Sequence, residues 1–275
     1  MQPNISREAR SDRETGRFFF RIIYATVKMK KDSFIRNCDL LLQVTWRIIE
    51  MKYEVLYQGA FAMLKVKLER GESVKGEMGA MVSMSPTVEV TGTVDGGIMR
   101  GIGRMLAGEK FFFQELVASR GAGEVLLAPG SLGDVQAVEL DGSYKLLVQK
   151  DGFLAGTSGI EVKTQMQNLS RGLMSGEGFF IVEISGRGTV FLSSYGAIHA
   201  INLGPGEEVV VDNGHLVAWP DYMQYSIEKA SKGWLGSLTS GEGLVCRFRG
   251  EGVVLIQSRN PKSFGDWIKK ILPGR

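Results

Sequence analysis

The sequence predicts an all-β chain: three tandem, pseudo-symmetric repeats, each sandwich- or barrel-like, with short connector helices and a C-terminal amphipathic helix. Three observations predict it. A Gly-Glu element followed by apolar residues occurs at 108–113, 176–181 and 241–246, with starts 68 and 65 residues apart. Each copy runs through a Gly-containing turn into a second apolar stretch, at 121–127, 186–192 and 250–256. Gly is abundant and Pro scarce, 36 against 7 in 275 residues, which is the composition of many tight turns.

A second element precedes each copy. It reads as a strand, a polar turn, another strand, a small Gly turn and a third strand, over residues 62–91, 135–164 and 199–229. The central turns are Glu69-Arg70-Gly71-Glu72, Leu140-Asp141-Gly142-Ser143 and Gly204-Pro205-Gly206-Glu207. Within the first copy Leu64, Val66 and Leu68 fall on one side and Lys65, Lys67 and Glu69 on the other, the two-residue period of a half-buried strand. The repeats are therefore placed at about 51–130, 131–195 and 196–258, with turn signals at the spacing of a sandwich or barrel. Connectors at 92–107, 165–175 and 230–240 mix Gly with scattered large apolar residues, as short helices or compact loops do. In the tail, 259–275, Phe264, Trp267, Ile268, Ile271 and Leu272 fall at helical spacing over 263–272. Lys269 and Lys270 sit near the end, and Pro273 and Gly274 follow.

Residues 1–50 are of a different kind. They contain one Gly against 35 in the remainder, and they carry 10 Lys/Arg and 6 Asp/Glu, so the basic excess of the chain lies there. They lack the order of a secretory signal peptide, and no stretch of the chain has the apolar length of a membrane-spanning helix. Trp46-Arg47 can be encoded by codons containing a ribosome-binding sequence, and Met51 stands just before the first strand-like run. Met51 is expected to be the natural start, with 1–50 an extension outside the domain.

Residues with catalytic or ligand-binding potential are few. Cys38 and Cys246 are too few for a disulfide framework or a paired-cysteine zinc site, and Cys246 is expected to be a buried thiol in a reducing compartment. His199 and His215 are the two histidines, and neither stands at metal-ligand spacing. Asn213-Gly214 is a hairpin signal that would start a strand at His215. Asp212 beside His215 could orient a base, but no nucleophile accompanies them. The Gly-x-Ser-x-Gly elbow, the dinucleotide fingerprint and the Walker sequence are absent. No catalytic residues, metal or cofactor are assigned. Without a basic excess in the body, nucleic acid is not an expected partner.

These motifs, taken in order, resemble the AIM24 family, also described as domain of unknown function 124, over residues 51–275. The resemblance is carried by Gly176-Glu177-Gly178-Phe179-Phe180 and its two companions, and by Val210-Val211-Asp212-Asn213-Gly214-His215-Leu216-Val217-Ala218. It is also carried by Gly252-Val253-Val254-Leu255-Ile256-Gln257-Ser258-Arg259, and by Gly96-Gly97 with Arg100 and Arg104. It implies a fold similar to the tryptophan RNA-binding attenuator protein, in repeated β-units, with no established enzyme activity. The family's mitochondrial members are associated with inner-membrane organisation.

The expected function is a non-enzymatic β-scaffold that self-assembles or organises partners, at a membrane surface or as a soluble homo-oligomer in the cytoplasm. A small-ligand or nucleic-acid binding module is the alternative. The contact residues nominated for a protein partner or membrane are Ile98, Met99, Arg100, Ile102, Arg104, Met105, Arg171, Leu173, Trp234, Leu235, Phe264 and Trp267. Peptide mass spectrometry of the protein from its native source should find the first N-terminal peptide at Met51; a peptide mapping before residue 51 would end that expectation.

Overall fold

The computed structural model describes residues 51–91, 113–149, 151–166, 180–229 and 244–272. They are mostly strand, with one helix at the C-terminal end, arranged in a four-stranded, an eleven-stranded and a three-stranded sheet. None of these sheets closes into a barrel among the described residues, which corrects the barrel-like part of the expectation. The three connectors nominated as short helices lie almost entirely outside the described residues. Gln165 and Met166, assigned to the second connector, are the end of a strand.

In chain order the first group of strands is β1 (Lys52–Leu56), β2 (Met63–Leu68), β3 (Ser73–Glu77), β4 (Met81–Met84), β5 (Glu89–Thr91), β6 (Phe113–Val117) and β7 (Gly123–Leu127). The second is β8 (Val135–Asp141), β9 (Leu146–Gln149), β10 (Phe153–Thr157), β11 (Ile160–Met166) and β12 (Phe180–Ser193). The third is β13 (Ile198–Leu203), β14 (Glu208–Asp212), β15 (Leu216–Pro220), β16 (Gln224–Lys229), β17 (Leu244–Arg249) and β18 (Gly252–Gln257), followed by helix α1 (Pro261–Ile271). The element preceding each Gly-Glu copy is thus four strands rather than the three expected. The missed strand in the first copy, β5, is three residues long and exposed throughout, so it has no apolar alternation to betray it.

Pairing is antiparallel throughout the named strands. In the first group β2 and β4 flank β7, while β3 and β5 flank β6. In the second, β8 and β10 flank the C-terminal half of β12, while β9 and β11 flank its N-terminal half. In the third, β13 and β15 flank β18, while β14 and β16 flank β17. The Gly186-Arg187-Gly188 segment, expected as a turn, is the bend of the continuous strand β12. Both glycines hold positive φ, and a Cβ on Gly186 would fall 2.1 Å from the Gly159 carbonyl oxygen.

The groups are joined by strands that cross from one to the next. β10 adds to β3, pairing Ala155 with Gly76 and Gly156 with Lys75. β15 adds to β9, pairing Ala218 with Val148 and Trp219 with Leu147. The crossing side chains complete the preceding cores. Leu154 and Ala155 are buried with Leu64, Val66, Leu116 and Val125, and Val217 and Ala218 with Val148, Val182, Ile184 and Val190. A third core holds Trp219, Phe248, Cys246, Val211 and Met223. There the Trp219 ring lies edge-on to Phe248 and Tyr225, at centroid distances of 5.4 and 5.2 Å, the geometry favoured by aromatic quadrupoles.

The linkers between groups are tied to one another through their backbones. Ala62 N–H donates to Gly133 O, Asp134 N–H to Gly196 O, Gly196 N–H to Leu132 O, and Ser258 N–H to Ala197 O. Gly133 and Gly196 form a parallel bridge, and a Cβ on Gly133 would fall 1.6 Å from the Ser194 carbonyl oxygen. Backbone on backbone cannot yield as a side-chain tip can. Gly133→Ala should therefore lower stability by about 2 kcal/mol or more. Gly130→Ala, three residues away and with open space around its Cβ, should change little. Urea denaturation of the two variants checks this, and equal midpoints would contradict it.

Candidate functional site

A cavity of about 450 Å³ lies where the turns after β3, β9 and β14 meet the linkers and the start of α1. Glu77, Gln149, Asp151, Asn213, Gln257 and Lys262 are among its lining residues. Gln149 Nε2 donates to both the carbonyl and the side-chain oxygen of Asn213, each at 3.0 Å. Gln257 is held at both ends, its Nε2 donating to Gly214 O at 2.9 Å and its Oε1 accepting from Tyr195 N–H at 2.8 Å. The amides are thus held in place, and a cavity whose apolar wall, with Leu216, Val217 and Pro261, carries a few fixed polar groups suits a small molecule.

Asp212 and His215, the pair that could orient a base, each bond to backbone. Asp212 Oδ1 accepts from Gly214 N–H at 2.7 Å, and His215 Nδ1 donates to Gln257 O at 2.8 Å. That capping contact folds Asn213–His215 into a single 3-10 turn, so the strand begins at Leu216 and not at His215 as the hairpin signal suggested. His199 is exposed on β13. Cys246 is fully buried, and burial first, with the Asp212 charge second, pushes its thiol up from an ordinary 9.0 to about 12. Among the described residues no group of three or more His, Cys, Asp or Glu could hold a metal ion.

The second hollow, about 670 Å³, lies between Tyr195, His215, Arg259 and helix α1. Asn260 caps the helix, its side chain accepting from the N–H groups of Lys262 and Ser263, which starts α1 two residues before the expected position. Phe264 sits 5.6 Å from the Tyr195 ring and 5.9 Å from Trp267. Yet no residue of α1 is buried: Trp267 is 56% and Ile271 59% exposed. Of the stripe, Phe264 lies against the Tyr195 ring of the β-body and Ile268 is half-buried. Of the twelve nominated contact residues, the structure describes these two, Phe264 and Trp267, and brings them together. Ile98, Met99, Arg100, Ile102, Arg104, Met105, Arg171, Leu173, Trp234 and Leu235 lie outside the described residues. Sequence reasoning missed the cavity wall. Gln149 and Gln257 are solitary amides at strand ends and Asn260 is the helix cap, and nothing local marks them as neighbours.

Fold and hollows together define an all-β, multi-sheet protein whose groups share strands, with one amphipathic helix beside a cavity. The family whose description reads mitochondrial biogenesis AIM24 matches residues 53–259, and the chain belongs to that family. It is 32% identical over 231 residues to an uncharacterized protein of Streptococcus pyogenes serotype M6, covering 81% of this chain and 92% of that one. A crystal structure of a Streptococcus pyogenes protein superposes with a TM-score of 0.67 at 33% identity, covering 81% of this chain and all of that one. The altered inheritance of mitochondria protein 24 of Verticillium alfalfae is 27% identical over 174 residues, 62% of this chain and 44% of its own length. No helix among the described residues is long and apolar enough to cross a membrane.

The Cys246 shift has a measurable sign. A thiol whose folded value is raised contributes stability that is intact below its unfolded value and is lost as pH rises toward the folded one. Wild type should therefore lose stability relative to Cys246→Ala between about pH 9 and about pH 12. Melting curves of both proteins across that range test it; a constant difference would contradict the assignment.

Proposed function

We propose that this protein is a non-enzymatic β-scaffold of three pseudo-symmetric repeats that assembles with itself and organises partners at a membrane surface from the cytoplasmic side. The single observation that carries the reading is α1, an eleven-residue helix with no buried residue. It holds Phe264, Trp267, Ile271 and Leu272 in the open beside Lys262, Lys269 and Lys270. An exposed apolar stripe with flanking lysines is how a helix lies in a lipid headgroup layer. The repeat reading is supported by the recurrence of one pairing scheme in the three groups of strands. The non-enzymatic reading is supported by the backbone partners of Asp212 and His215. The cytoplasmic setting is supported by the free, buried Cys246.

A second reading, a small-ligand module, is favoured by the cavity with its fixed amides alone. A rise in melting temperature with a panel of small polar metabolites would support it, and Gln149→Ala should abolish that rise.

The membrane reading is tested by flotation with vesicles of phosphatidylcholine and an anionic phospholipid. Wild type should float with the vesicles. The double variant Phe264→Ser, Trp267→Ser should bind at least about tenfold less, because two aromatic side chains no longer enter the acyl boundary. Its circular dichroism should be unchanged, since neither side chain is buried. Wild type that stays in the aqueous fraction, or a variant that floats equally well, would overturn the reading.

A further inference from the structure

The hairpin turn between β1 and β2 and the first two linkers carry no charged residue. Residues 57–62, 128–133 and 194–197 contain no Asp, Glu, Lys or Arg, in a chain that is 23% charged. Backbone bonds set these three segments side by side. Ala62 N–H donates to Gly133 O and Gly196 N–H to Leu132 O, both at 2.9 Å. The turn is pinned a second time, Gly59 N–H donating to Asp134 Oδ1 at 3.0 Å. Asp134 is itself buried, and the same oxygen accepts from Val135 N–H, so this carboxylate lies beneath the surface and not on it.

Apolar side chains stand out along these segments. Gly133 and Gly196 form a parallel bridge, so Leu132 and Tyr195, each one residue before it, share a face one strand spacing apart, about 4.8 Å. Leu132 is 61% exposed, and next to it the pinned turn presents Tyr57 at 72% and Phe61 at 67%. Tyr57 takes a positive φ of 53°, a backbone conformation unfavourable to a side chain of that size. On the other side the Tyr195 ring lies 5.6 Å from Phe264, and Phe264 lies 5.9 Å from Trp267. Phe61, Leu132, Tyr195, Phe264 and Trp267 thus make one row, from the β1–β2 turn across two linkers onto α1.

The row ends in cations. Arg259, Lys262, Lys269 and Lys270 are exposed at its α1 end. Side chains as exposed as Tyr57, Phe61 and Leu132 stand as separate tips. A fluid acyl layer admits separate tips, whereas a protein surface must match each one. Tyr, Phe and Trp beside Lys and Arg are also the residues of a membrane–water boundary, where a ring or an aliphatic stem meets lipid and the charge stays wet. A second copy set face to face on this row would bring like charges together, which disfavours that occupant. An anionic lipid surface brings opposite ones.

We infer that Tyr57, Phe61 and Leu132 form with Phe264 and Trp267 a single surface that lies on an anionic phospholipid bilayer. The β-body then rests on its linker edge, and the helix is one end of the contact and not the whole of it. The inference rests on the membrane reading and gives it an orientation. β8 leads away from the first linker, so Ser143, in the turn at its far end, is separated from Leu132 by the length of that strand, about 20 Å. Ser143 should stay in water while Leu132 enters the lipid.

The test uses the full chain with Cys38→Ser, in which Cys246 is buried and out of reach of a label. Phe61→Cys, Leu132→Cys, Trp267→Cys and Ser143→Cys are made singly, and each is labelled with a polarity-sensitive fluorophore. Vesicles contain phosphatidylcholine and an anionic phospholipid, with or without bromine on the acyl chains. Labels at 61, 132 and 267 should move to shorter emission wavelength and be quenched by the brominated lipid; the label at 143 should do neither. Separately, the double variant Phe61→Ser, Leu132→Ser should bind vesicles at least about tenfold less although α1 is intact. Its circular dichroism should be unchanged, since neither side chain is buried. A response at 267 with silence at 61 or 132 would overturn this surface and leave the membrane reading standing. Silence at all four positions, with the protein in the aqueous fraction, would overturn both. A response at 143 would overturn the orientation, and a double variant that floats like wild type would overturn the part given to the β-body.

Discussion

Everything in this molecule depends on strand donation between neighbouring groups. A multi-sheet β-protein buries its apolar faces only if its sheets are complete, and here they are completed across group boundaries. Ala155 against Gly76, and Ala218 against Val148, are backbone ladders that align two groups and also place Leu154 and Val217 in the preceding core. One set of hydrogen bonds thus fixes relative orientation and core packing together. The linker bonds through Gly133 and Gly196 reinforce the same alignment.

The cavity and the helix follow from that alignment. Once β9 and β15 are in register, the turns after β3, β9 and β14 meet, and Gln149 comes within 3.0 Å of Asn213. The chain that leaves β18 is held to the second linker by Ser258 and Arg259, which bond to Ala197 and Tyr195. Asn260 then starts α1 beside Tyr195, so the helix stands at the rim of the cavity with its aromatic residues outward.

The strands with regular alternation were legible in the sequence, β2 and β17 above all, because half-burial imposes a two-residue period. So was the family, because its motifs are contiguous. The short β5 was not, having no buried face, and the bend of β12 read as a turn because Gly186 and Gly188 are the residues a turn would use. Partner choice was illegible for a deeper reason. Nothing in Phe153 to Thr157 states that this strand will lie on Ser73 to Glu77, since that outcome depends on segments about eighty residues apart meeting in space. Of the candidate site, Phe264 and Trp267 were readable from helical spacing. The amides of the cavity were not, because a solitary Gln at a strand end looks the same whether it meets solvent or a neighbour.

Strand donation also sets an order of assembly along the growing polypeptide. The core around Leu64 and Leu116 lacks Leu154 and Ala155 until the chain has been made past β10, and the core around Val148 and Val190 lacks Val217 and Ala218 until β15 exists. Each of the first two groups of strands leaves the ribosome unfinished and is sealed by its successor. A nascent chain of this kind carries one open core at a time, always the newest, so its exposure to misfolding moves along the chain with synthesis.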